Sequence, residues 1–164
     1  MNWELSHRAD KEALPLADRH YNRQKPGTPQ FVPPGRCIVL LSLWKDALWV
    51  SSWPFSEYVK HAWAGAWVCS CFRNESNILS SVLIREAMAV TRSIWGDPPP
   101  LGMVTFVDAS KVKRKRDPGR CYLRAGWNNV GKTKGGLVAI QALPEVLPQP
   151  EPAWDAQSIL PFSH

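Results

Sequence analysis

Residues 62–95 read AWAGAWVCSCFRNESNILSSVLIREAMAVTRSIW, and the fold turns on this stretch. Its first third, Ala62–Phe72, is apolar and aromatic and predicts a buried strand. A period of two puts Trp63, Gly65, Trp67, Cys69 and Cys71 on one face, and Ala64, Ala66, Val68, Ser70 and Phe72 on the other. From Ser76 to Trp95 the period changes. Leu79, Val82, Leu83, Ala87, Val90 and Ile94 recur at helical spacing. Ser76 or Asn77 can cap the start, Gly96 stands where a left-handed terminating residue belongs, and Pro98-Pro99-Pro100 forbids continuation. The stretch is a strand, a polar junction and a long helix.

Upstream, Cys37–Trp44 (CIVLLSLW) and Ala47–Trp53 (ALWVSSW) predict two more strands, turned at Lys45-Asp46. Residues 13–24 predict a short helix after Pro15, and the Pro- and Gly-rich residues 25–36 an ordered loop. Downstream, Met103–Asp108 is a strand, Gly119–Ala125 a short helix ended by Gly126, Asn128–Gly131 a turn, and Leu137–Leu143 the last strand. Residues 1–12 read as a flexible arm, 13–143 as one domain, and 144–164, with Pro144, Pro148, Pro150 and Pro152, as an extended, mobile tail. Antiparallel strands followed by β-α-β-α-β predict an α/β (α+β) fold with a mixed, mainly antiparallel central sheet flanked by helices.

The chain has 164 residues, 45% apolar and 21% charged, which suits a single domain with one core. Charged residues interrupt every apolar run before the roughly 18–20 residues a bilayer span needs, so no membrane partner is expected. The N-terminus has no apolar segment of signal-peptide type, and a cytoplasmic location is expected. The four cysteines do not resemble a secreted disulfide framework. Cys69-Ser-Cys71 alone lacks the second ligand pair a zinc site needs, so buried free thiols are expected and no metal site is read.

The formal charge is +6, but it is unevenly placed. Residues 111–134 hold nine of the 20 basic groups (Lys111, Lys113, Arg114, Lys115, Arg116, Arg120, Arg124, Lys132 and Lys134) and one acid, Asp117, a net +8. The other 140 residues carry 11 bases and 13 acids, a net −2. One basic segment on a slightly acidic domain points to a local anionic partner, a nucleic-acid backbone or the phosphates of a cofactor. A solvated basic loop is the plainer reading of Lys113–Arg116 alone.

Several residues can carry chemistry. Asp108 closes an apolar strand at the end where sites gather in open α/β sheets, or it caps the following turn. Tyr122 and Arg120 lie in the first turn of a short helix, where a phenol can act as a general acid or orient a substrate. Arg73, Asn74 and Ser76 lie at the strand–helix junction, where polar side chains can meet an anion or simply cap the helix. His20-Tyr21 lies on the first helix, whereas His61 has no evident partner. Gly131-Lys-Thr-Lys-Gly-Gly136 lacks the order of a phosphate loop and precedes a strand, so it is not a Walker motif. The nine Trp are dispersed and read mainly as core; those near the basic loop can stack on unpaired bases.

The element order suits the GNAT (N-acetyltransferase) fold, whose central strand–loop–helix binds the pyrophosphate of an acyl-CoA. Within that fold, five motifs in order resemble the Mom-like group of phage DNA-modification proteins. They are His20-Tyr21, Asn74-Glu75-Ser76, Thr105-Phe106-Val107-Asp108, Gly119-Arg120-Cys121-Tyr122, and Trp127 through Gly131 to Thr133. The likeness covers most of residues 17–136. It implies a transferase acting on the exocyclic amine of adenine or a related DNA base, an anti-restriction modification; the family's product is N6-carbamoylmethyl adenine. His20, Tyr21, Asp108 and Tyr122 fall on the implied active-site positions. Asp108 would orient or deprotonate the amine, Tyr122 would donate to the acyl oxygen or leaving group, and His20-Tyr21 would close the site. Arg73, Asn74 and Ser76 fall where the donor would bind. The donor is an acyl-CoA or another activated compound, although this junction has none of the glycines of an acetyltransferase phosphate loop. The insertion Lys111–Arg116 would add a clamp on the DNA backbone. A conventional acyl-CoA-dependent N-acetyltransferase acting on a small amine or protein, and a non-enzymatic DNA-binding protein, are the alternatives.

Overall fold

The computed structural model describes residues 1–20, 31–111 and 119–155. Seven strands form one open sheet: β1 (Trp3–Leu5), β2 (Arg36–Ser42), β3 (Ala47–Trp53), β4 (Trp67–Asn74), β5 (Met103–Val107), β6 (Asn128–Lys132) and β7 (Val138–Ala142). Their spatial order is β1-β2-β3-β4-β5-β7-β6. All neighbours are antiparallel except β4 and β5. Three α-helices accompany them: α1 (Leu14–Asp18), α2 (Ser80–Trp95) and α3 (Arg120–Arg124). The mixed, mostly antiparallel single-domain architecture expected from the sequence is therefore present.

The sheet is covered on both faces. Under α2 and α3 lie Trp3, Trp49, Trp67 and Trp127, all fully buried, with Leu83, Ile84 and Met88 of α2. The opposite face packs Leu16 and Ala17 of α1 against Val39, Leu41, Leu48 and Val50. A fully enclosed indole usually finds a partner for its N–H, although Trp67 Nε1 has none among the described residues. Trp3 donates to the Leu83 carbonyl at 2.9 Å and Trp49 to Ser51 Oγ at 2.7 Å, which in turn meets Thr91 on α2 at 2.7 Å.

Residues 1–12 are not a loose arm. Trp3–Leu5 pairs with β2, and the Asn2 backbone N–H donates to Glu86 Oε2 at 2.9 Å. A three-residue strand between polar flanks offers too little periodicity to read. Nor are the described residues of the tail, 144–155, detached. Leu147 is buried, Glu151 N–H donates to the Ala89 carbonyl at 3.2 Å, and Trp154 exchanges backbone bonds with Trp3 and Leu5. The domain thus extends beyond 13–143 in both directions.

The central stretch also differs in detail. Ala62–Ala66 forms turns and β4 starts at Trp67. Helix α2 starts at Ser80, because Asn74 and Ser76 build their own turn ahead of it. Asn128–Gly131, expected as a turn, lies in an edge strand, Asn128–Lys132. It is exposed along its length, so no apolar alternation marks it.

Gly102 sets the entry to β5. Its φ is +66°, its carbonyl accepts the Trp67 N–H at 2.9 Å, and a Cβ there would stand 2.0 Å from the Ala142 carbonyl oxygen. Gly102→Ala must therefore move β7 or lose the left-handed turn. Its expected cost exceeds the ~1–2 kcal/mol of left-handed strain alone, read as a lowered urea midpoint.

Candidate functional site

The parallel pairing of β4 with β5 is brief. Only Trp67↔Met103 and Val68↔Val104 are in register. Beyond them each strand follows its own antiparallel neighbour, β4 to Asn74 beside β3 and β5 to Val107 beside β7. The gap between the parting strands is a narrow crevice of about 20 Å³, room for about one water. His20, Cys69, Thr105, Phe106 and Tyr122 are among the residues that line it. Thr105 Oγ1 spans the gap to the Cys69 carbonyl at 2.9 Å.

A bulge shapes the β4 wall. Val50 faces Cys71 and Ser51 faces Cys69, so Ser70 is the extra residue. The bulge breaks the expected alternation. Cys69 stays in the core beneath α2, whereas Cys71 joins the cluster beneath α1. The two sulfurs therefore do not share a face. All four cysteines are free, with Cys69 and Cys71 buried. Among the described residues no group of His, Cys, Asp or Glu is arranged to hold a metal.

Tyr122 enters from α3. Gly119, at φ +72°, precedes the helix and leaves no room for a Cβ, which would lie 2.0 Å from Ile140 Cδ1. This turn sends the buried phenol ring among Trp49, Phe72 and Trp127, with centroids 6.5, 6.2 and 5.1 Å away. The hydroxyl meets Cys69 Sγ at 3.4 Å. Burial, then the nearby sulfurs, push the phenol well above its ordinary range. It is a neutral donor at physiological pH, and burial likewise keeps Cys69 a thiol.

His20 reaches the crevice from the end of α1. Arg19, its neighbour, donates to both Glu75 carboxylate oxygens at 2.6 and 2.8 Å, and Glu75 also takes Arg73 Nε at 3.0 Å. This ties the end of α1 to the β4–α2 junction. Burial first, and Arg73 second, lower the His20 pKa to about 4. The imidazole is therefore neutral at pH 7. The unfolded chain, with an ordinary His, binds the extra proton between pH 6.5 and about 4. Stability is full above that window and is lost as pH falls through it, by up to about 2–3 kcal/mol. His20→Gln should flatten this part of the pH–stability curve measured by urea denaturation.

The remaining expected site residues are placed differently. Asp108 does not line the crevice. Its Oδ1 accepts from Ser110 N–H at 3.0 Å and Ser110 Oγ at 2.6 Å, so the carboxylate caps the turn Ala109–Lys111. Those bonds, with Lys111 at 4.0 Å, hold it below the usual carboxylate range. Asn74 Nδ2 donates to the Ile78 carbonyl at 2.8 Å and to Ser80 Oγ at 3.0 Å, while its Oδ1 accepts from Ser76. Ser76 Oγ accepts from Ile78 N–H at 3.1 Å. Arg73, Asn74 and Ser76 are thus engaged within the junction, with Arg73 also on Glu75 and the Arg19 carbonyl. Arg120 and Arg124 stand exposed one turn apart on α3, and Lys132 and Lys134 are exposed near β6. Tyr21 and Lys113, Arg114, Lys115 and Arg116 lie outside the described residues.

A second, larger pocket of about 480 Å³ opens on the other side of Phe106, between the Lys60–Trp63 turn and the Lys132–Gly135 segment. The residue pattern shows no partner for His61 and puts Trp63 on a strand. Here both rings meet Phe106, at centroid distances of 4.7 and 5.8 Å. Only Gly65, at φ +96°, hints in the sequence that the strand pattern breaks before Trp67.

No protein-family model matches the chain, and no curated protein or solved structure is significantly similar to it. No described helix is long and apolar enough to cross a membrane.

Proposed function

We propose that the chain is a Mom-like transferase of GNAT fold that modifies the exocyclic amine of adenine or a related base in DNA. One observation carries this reading. His20 of the N-terminal segment and Tyr122 of α3, 102 positions apart, converge on the crevice where the sheet's parallel pair opens. Both are positions that the resemblance names. The strand order, with its lone parallel pair, and the basic segment 111–134 also support it.

In this reading the amine nitrogen bonds to the electrophilic carbon of an activated donor as the bond from that carbon to the donor's leaving group breaks; the leaving group departs with the electron pair, and the neutral His20 relays to it the proton that the amine loses. The Tyr122 hydroxyl, kept protonated by burial, donates a hydrogen bond to the oxygen on which negative charge develops. Cys69 and Thr105 orient that hydroxyl. Asp108 takes no proton here, because its carboxylate is engaged by Ser110. No step is routed through CoA; Arg73, Asn74 and Ser76, where the donor would bind, are engaged with their own neighbours. With room for about one water, the crevice takes not the ring but the amine edge of a base that has left the stack.

The test is protection of DNA. Plasmid recovered from cells expressing the protein should resist restriction endonucleases whose sites contain adenine, and resistance should vanish with Tyr122→Phe. Full cleavage of DNA from a strain able to supply the donor would count against the reading.

A further inference from the structure

We infer that the pocket beside Phe106 binds one nucleotide of single-stranded DNA, its base stacked on the Trp63–Phe106 surface and its phosphates held by Lys132 and Lys134. The inference rests on the proposed DNA chemistry for its choice of ligand, but its geometry is independent of the crevice.

The floor of the pocket is aromatic. His61, Trp63 and Phe106 are each only partly buried, and their centroids lie 4.7–6.0 Å apart. Three half-exposed rings in mutual contact make a platform with apolar area left open, which a planar heterocycle can cover. The platform is held in shape. His61 Nδ1 accepts the Trp63 backbone N–H at 3.0 Å, so the neutral ring carries its proton on Nε2. Burial lowers the His61 pKa, which keeps that tautomer at neutral pH.

The rim is cationic. Lys60, Lys132 and Lys134 line it, and no acidic side chain does so among the described residues. None of the three lysines has an ion-pair partner among those residues. A volume of about 480 Å³ is within the range that takes a small ligand. An apolar stacking floor beneath ammonium groups is complementary to a base with its flanking phosphates. Duplex DNA keeps its bases stacked on one another, so only an unpaired base can use the floor. Phe106 lines both this pocket and the crevice, which places the held strand beside His20 and Tyr122.

The experiment is fluorescence anisotropy with a labelled 12-mer of single-stranded DNA, across a salt series, on the full chain. Wild type should bind the single strand more tightly than the matching duplex. Trp63→Ala should weaken binding about tenfold, in keeping with the loss of one stacked base, and Trp63→Phe should recover most of it. Lys132→Gln and Lys134→Gln should each lower the slope of log K against log salt by about 0.7. Circular dichroism melting of each variant establishes that it is folded. Three results would overturn the inference: unchanged affinity and slope in these folded variants, equal binding of duplex, or competition by free deoxyadenosine monophosphate at the oligonucleotide's own affinity. Modification in cells separates the two proposals. Wild-type modification by Trp63→Ala and Lys132→Gln would sink the pocket and spare the transferase reading. The predicted binding without any modified base would do the reverse.

Discussion

Tyr122→Phe is expected to lower the yield of modified base by about 100-fold or more, the lower end of what a positioned proton donor contributes. The stability change should be small. Phenylalanine keeps the ring packed among Trp49, Phe72 and Trp127, and only the hydroxyl facing Cys69 Sγ and Thr105 is lost. Such a loss costs about 1 kcal/mol. The two readouts therefore separate a chemical role from a structural one. If yield and stability fell together by a similar free energy, Tyr122 would be a core residue alone. Cys69→Ala provides the complementary variant. It removes the sulfur beside the hydroxyl while leaving the phenol in place, so it should change yield far less than Tyr122→Phe.

The largest loss of stability is expected at Trp49. The indole is fully buried at the centre of β3, 5.6 Å from Phe72, and its N–H donates to Ser51 Oγ. Trp49→Ala opens a cavity that neither β2 nor β4 can fill, because both remain in register with β3. A loss of about 3–5 kcal/mol is expected, measured as a shift of the urea midpoint. Trp44→Ala is the internal comparison. Trp44 is 84% exposed on the β2–β3 turn, and its removal should change stability by less than about 0.5 kcal/mol. Equal losses at the two positions would contradict the packing described.

These two tryptophans also mark what a sequence can and cannot tell. β3 was legible to the residue, because ALWVSSW is apolar and bounded by a turn at Lys45, whose φ is +62°. The long helix was legible from its apolar stripe and from Gly96, but its first turn was not. Ser76 and Asn77 have capping chemistry, yet neither caps the helix: Leu79 precedes it with no side-chain cap, and Asn74 and Ser76 bond each other in a turn ahead of it. β1 and β6 were missed for a different reason. Edge strands take their order from backbone pairing, which leaves little mark on side-chain pattern. The same holds for the bulge at Ser70, which separates two sulfurs that strict alternation would have aligned.

The candidate site was legible only in part. His20 and Tyr122 were nameable because the motifs around them are local, whereas their approach to one crevice depends on where β4 and β5 part. Asp108 was open to two readings in the sequence, and Ser110, two residues on, decides between them. The pocket floored by His61, Trp63 and Phe106 was invisible, since it joins a turn before β4 to the middle of β5. The charge asymmetry pointed to an anionic partner, and Lys132 and Lys134 give that expectation a location beside the aromatic floor.

The central claim is that the crevice between β4 and β5 is where a DNA base is altered. Liquid chromatography with mass spectrometry of nucleosides, digested from the DNA of expressing cells, tests it most directly. A new nucleoside heavier than deoxyadenosine or another normal nucleoside, present with wild type and absent with Tyr122→Phe, is the predicted result. An unaltered nucleoside profile in a host that supplies the donor, or an equal yield from the two proteins, would contradict it.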